Sequence, residues 1–150
     1  MGDRMLQLHP IAVRLLAVLV IVAALGVAAT AYLASTGRAA DRTAVSNVRA
    51  AAAAADAWFQ DPFAGDGSYR KLDSAGLIRE APSVSSNVHV TLLANGAAYC
   101  LDDEEAPGHS AYYVGGEVGR LTHLAGAVTL APTIVHSKTA DAASVCRSIS

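Results

Sequence analysis

The sequence predicts an α+β chain in which one long N-terminal helix, apolar all round at its start and amphipathic further on, packs against a small antiparallel sheet. Three observations carry that expectation. Leu15 to Leu33 (LLAVLVIVAALGVAATAYL) is uncharged and apolar, and Arg38 to Phe59 (RAADRTAVSNVRAAAAAADAWF) is alanine-rich with no proline. From Asn87 onward the pattern turns to β-branched alternation around an Asn95-Gly96 pair.

Residues 1–10 form a short leader ahead of the apolar run. A helix crosses the ~30 Å hydrocarbon layer with roughly 20 apolar residues. Ile11 to Leu33 supplies them once Arg14 snorkels toward the headgroups. The span is assigned to 11–36, with Leu15, Leu16, Val20, Leu25 and Leu33 among its anchor residues. A cleaved signal peptide is the alternative, with Arg4 as its basic flank and Ala29-Thr30-Ala31 as its cleavage site. The run exceeds the ~7–15 apolar residues of such a signal, which favours a retained anchor.

The amphipathic segment covers 37–60. Ser35-Thr36-Gly37 marks where the helix either continues from the span or starts anew. Val45, Val48, Ala52, Ala55 and Phe59 share one face and form the expected helix side of the core, while Arg42, Arg49 and Asp56 recur on another face. The helix ends near Asp61, because Pro62 disfavours helical geometry before it and Gly65, Asp66 and Gly67 follow.

The remaining 61–150 form one small α+β domain. A loop to residue 86 holds one short helix, capped by Asp73 or Ser74 ahead of Ala75-Gly76-Leu77-Ile78. Asn87 to Ala94 and Ala97 to Asp102 then pair as a hairpin about Asn95-Gly96. A second pair is expected between His109 to Val114 and Glu117 to His123, turning at Gly115-Gly116. Ala127 to His136 is a further strand, confined in part to an edge or bulge by Pro132. Val88, Val90, Leu92, Tyr99 and Leu101 need a partner surface, which the helix face supplies.

Charge narrows the function classes. Net charge is −2, the only lysines are Lys71 and Lys138, and no basic patch with interleaved aromatics occurs, which argues against nucleic-acid binding. Cys100 and Cys146 lie on the same side of the apolar run without a C-x-x-C pair. An exported domain would join them as a disulfide, and a cytosolic one would bury two free thiols. The arginines are of little help with orientation, since Arg4 and Arg14 lie before the run and Arg38, Arg42 and Arg49 after it. The cysteines weigh more, and favour export.

Local wording points further. Ser46 to Ile78 (SNVRAAAAAADAWFQDPFAGDGSYRKLDSAGLI) is similar to the part of bacterial pilins where the helix ends in an aromatic pair, a loop closes with Gly-Ser-Tyr, and a Leu-x-x-x-Gly-Leu turn follows. Tyr99-Cys100-Leu101 looks like the tyrosine-cysteine strand of pilin-like proteins whose partner cysteine lies near the C-terminus, here Cys146. Together with the order of elements, these segments make the chain resemble type IV pilins and pseudopilins. The resemblance implies a cytoplasmic N-terminus, a single membrane pass and an extracytoplasmic domain. It also implies helix-to-helix packing between subunits, which Ala23, Ala24, Ala28 and Ala31 would permit at close range.

The departure lies in the leader. Aligning Leu15-Leu16 with the family's Leu-Leu run puts His9 at the cleavage glycine, Pro10 at the following phenylalanine and Arg14 at the membrane glutamate. The family's peptidase requires that glycine, and its subunit register uses that glutamate. An unprocessed, permanently anchored relative is the expectation.

Few residues suggest chemistry. Asp102-Asp103-Glu104-Glu105 reads as a solvated strand-end turn, because four consecutive acids cannot all turn toward one cation. Asp61 and Asp66, beside Gly65 and Gly67, are weak loop candidates for a metal without EF-hand spacing. His9, His89, His109, His123 and His136 show no ligand spacing, and read as scattered surface or strand residues. Ser110, Ser137 and Ser144 lack a nucleophile-elbow context, and Trp58 with Phe59 reads as a core plug. The expectation is no enzyme, no cofactor and no small-molecule substrate. The lipid bilayer and other pilin-like subunits are the expected partners of a structural subunit, an atypical minor component of a type IV pilus or type II secretion pseudopilus. The alternative is a stand-alone anchored extracytoplasmic binding module with no filament role.

Overall fold

The computed structural model describes residues 10–117, 134–137 and 141–150, and its chain is α+β. Helix α1 runs from Pro10 to Gln60 without interruption, α2 spans Ser74–Glu80 and α3 spans Ala142–Ser148. Four strands, β1 (His89–Leu93), β2 (Ala98–Ala106), β3 (His109–Gly116) and β4 (Val135–Ser137), form one antiparallel sheet in sequential order. Contacts divide the chain into two units, 1–36 and 37–150.

In the first unit, α1 is the one helix among the described residues that is long and apolar enough to cross a membrane. Its large side chains from Leu16 to Leu33 are 58–70% exposed where described, Val20 and Leu25 among them. Nothing among the described residues covers them. His9 lies outside the described residues; Pro10, Arg14 and Leu15 lie in the first turns of α1.

In the second unit, α1 buries a line of small residues. Ala44, Val48, Ala51, Ala55 and Trp58 are all buried, at spacings of 4, 3, 4 and 3 along the sequence, with Ala54 buried beside them. Of the expected face, Val48 and Ala55 are fully buried, Val45 and Ala52 half-buried, and Phe59 is 38% exposed. The seam thus runs through Trp58 and not Phe59. Against it lie Tyr69, Leu72, Leu77, Val88, Tyr99, Leu101 and Ala111. Fully burying a side chain such as Leu77 or Leu101 contributes about 1.5–3 kcal/mol.

The opposite face of the sheet carries a second core of Leu93, Ala98, Cys100, Tyr112 and Val114 under Ala142, Cys146 and Ile149. Strand alternation explains the division, since Tyr99 and Leu101 point toward α1 while Ala98 and Cys100 point toward α3. The disulfide Cys100–Cys146 ties β2 to α3 across that second core.

The first hairpin forms, with a longer connection than two residues. Leu93 pairs with Ala98, so Ala94 to Ala97 make the turn, and Ala94, Asn95 and Gly96 all have positive φ. Asp73 caps α2 by accepting from Gly76 N at 2.6 Å. The expected turn at Gly115-Gly116 does not occur, because β3 runs through both glycines and its hairpin partner is β2 by way of Pro107-Gly108. Gly115 serves packing instead. A Cβ there would lie 2.4 Å from the Tyr99 hydroxyl. Residues 118–123 and 127–133 of the expected later strands lie outside the described residues; β4 covers the end of the second.

Candidate functional site

The helix–sheet interface is apolar along most of its length and polar at one end. Asp103 pairs with Ala111, which pairs with His136, so these three stand in one row across β2, β3 and β4. Cross-strand partners share a face of the sheet, and Glu105 and His109 lie two residues along their strands from that row. Helix α1 meets this layer with Asp41 and Asn47. Six polar side chains therefore gather where the sequence showed scattered histidines and an acidic run.

Two clusters compose the layer. In the first, His109 Nδ1 and His136 Nε2 each lie 2.6 Å from Asp41 Oδ1. An ionised carboxylate only accepts, so His109 donates its Nδ1–H. The His136 contact lies off hydrogen-bond direction, and Nε2 meets the carboxylate as a close polar neighbour. The hydrogen bond from His109 holds the Asp41 carboxyl below its ordinary value, opposed by desolvation and reinforced by His136. Gly37 makes room for this contact, since a Cβ on it would lie 2.7 Å from His109 Cε1. The glycine at the expected break in the helix is where β3's histidine rests on it.

In the second cluster, Asn47 Nδ2 donates to Asp103 Oδ2 at 3.2 Å and to Glu105 Oε1 at 2.7 Å. Asp103 is fully buried and Asp102 nearly so, which corrects the reading of residues 102–105 as a solvated turn. The reason is that β2 continues to Ala106, turning alternate acids toward α1 and toward α3. Burial pushes the Asp103 carboxyl up to about 6, opposed by the bond from Asn47 and reinforced by Glu105. Burial raises Asp102 as well.

A second feature lies at the other end of the helix–sheet interface. A cleft of about 1050 Å³ opens between the loop after α1, the turn after β1 and the end of β3, with Phe59, Tyr69 and Tyr113 on its wall and Phe63 on its rim. Phe63 is 98% exposed. Among the described residues, Asp66, Gly67, Ala94, Asn95, Gly96 and Gly116 all have positive φ and all line this cleft. Such strained backbone costs on the order of 1–3 kcal/mol at a non-glycine residue, and clusters at functional sites. Phe59, Tyr69, the buried Tyr99 and Tyr113 form a ladder, with successive ring centroids 4.9, 4.7 and 6.2 Å apart.

The weak metal candidates sit apart from the polar layer. Asp61 Oδ1 accepts from Phe63 N at 2.7 Å, which makes it a turn-forming side chain, and Asp66 is exposed. Among the described residues no group of three or more His, Cys, Asp or Glu could hold a metal ion. The two nitrogens at Asp41 approach one oxygen at hydrogen-bond distance, shorter than the spacing between ligands around a zinc ion. Ser110 stands on the α3 side of β3, where its Oγ accepts from Ala142 N, so it does not join the Asp41–His109 pair. What the polar layer can do is hold and exchange protons. Compared with protein-family models, with curated proteins and with solved structures, the chain matches none.

Proposed function

We propose that the chain is a membrane-anchored, pilin-like structural subunit whose N-terminal helix stays in the bilayer and whose 61–150 domain lies outside the cytoplasm. The observation that carries this reading is the single helix Pro10–Gln60, exposed and apolar over its first part and packed beneath a sheet over its second. One helix with two environments needs an apolar medium for its first half. The disulfide Cys100–Cys146 supports an oxidising compartment for the domain. His9, Pro10 and Arg14 support an anchor that is kept unprocessed. An atypical minor component of a pilus or secretion pseudopilus is the role this fits.

The aromatic-walled cleft favours the second reading, an anchored binding module with no filament role. Photo-cross-linking in the native membrane separates the two, with the reactive group at Leu25. Adducts with other helical subunits are the expected result. Adducts with lipid alone would overturn filament membership and leave the binding module.

A further inference from the structure

Asp103 is fully buried, and few donors reach it. One amide, that of Asn47, serves both Asp103 Oδ2 and Glu105 Oε1, and among the described residues Asp103 Oδ1 has no hydrogen-bond partner. Two ionised carboxylates here would leave a buried oxygen bare beside a like charge. A single proton relieves both costs. A neutral Asp103 carries an O–H donor, and Glu105 lies within its hydrogen-bonding reach.

We propose that Asp103 and Glu105 share one proton beneath Asn47, and that this proton makes the seating of α1 on the sheet a latch that tightens as the surroundings are acidified. The sign follows from linkage. Asp103 is pushed up to about 6 in the folded chain from an ordinary 3.8. The folded chain therefore takes up a proton as pH falls through about 6, whereas the unfolded chain takes it up only near 4, and stability rises across that window.

Among the described residues, few groups face the pair. From α1 come Asn47 and Asp41, from β3 His109, and from β4 His136 in the row of Asp103. On β2 itself, Asp102 and Glu104 point to the opposite face, where His89, Asp141, Arg147 and Glu104 act on Asp102. Both imidazoles are engaged with Asp41. Both are kept in an Asp103→Asn variant, so the comparison of the native chain with the variant reports on the Asp103 carboxyl.

The test uses the full chain in detergent micelles, unfolded by urea at about pH 7.5 and about pH 5. The folding equilibrium constant of the native chain should rise roughly tenfold more on acidification than that of Asp103→Asn. Equal responses would overturn the proposal. Carboxyl-carbon NMR of the native chain gives a second readout that does not depend on the variant folding. A midpoint near 6 for Asp103 is expected, and a midpoint at or below 4 would overturn the shared proton.

Discussion

Tyr99 shows how a single residue sets the packing of its neighbours. Its ring lies between Tyr69 and Tyr113, its backbone pairs with Gly115, and its hydroxyl is buried with no hydrogen-bond partner among the described residues. Burial raises its phenol, so the O–H stays neutral and unserved. Tyr99→Phe removes an unsatisfied polar group while keeping the ring, and should leave the protein unchanged or more stable by about 1 kcal/mol in urea unfolding. A loss larger than about 1 kcal/mol would mean that the hydroxyl has a partner, such as ordered water. Gly115 matters for the same reason, since β3 could not pass this ring with a side chain there. Gly37 plays the matching part for His109. The helical preference of alanine over glycine, about 1 kcal/mol, is opposed there by the histidine it would displace.

At the scale of elements, the disulfide carries a measurable share of stability. It closes a separation of 46 residues between β2 and α3. In the chain-entropy model a loop of that size contributes about 4 kcal/mol, a large part of a small domain's total. Reduction should therefore lower the unfolding free energy by about that amount, read as a fall in the urea midpoint with dithiothreitol present. A change below about 1 kcal/mol would place the stability in the α1 core instead. Elements marked by local chemistry were legible in the sequence: the first hairpin from Asn95-Gly96, the Asp73 cap of α2, and the end of α1 before Pro62. The phase of the α1 seam was less so, because Ala50 to Ala55 offers no contrast between adjacent faces and fits a stripe through either Trp58 or Phe59. Helix α3 was missed, though Asp141, whose carboxylate accepts from Ala143 N, is a capping signal in plain view. The polar layer was not legible. Asp41, Asn47, Asp103, Glu105, His109 and His136 come from four elements and meet only through strand register, which no local pattern encodes. The one available hint was that the acids continue the alternation of Tyr99-Cys100-Leu101 and so belong to the strand.

At the scale of the whole molecule, two chemistries divide the chain. The unit 1–36 offers an apolar helix that no described residue covers, and the unit 37–150 offers two small cores on either face of a four-stranded sheet, one of them stapled by its disulfide. A retained anchor carrying an oxidised domain joins these facts in one reading. The intact mass of the chain, extracted from its native membrane without reductant, tests that reading most directly. It should account for the residues before Ile11 and lie two hydrogen atoms below the mass of the reduced chain. A chain beginning after Ala31, a methylated N-terminus at Pro10, or two free thiols would contradict it.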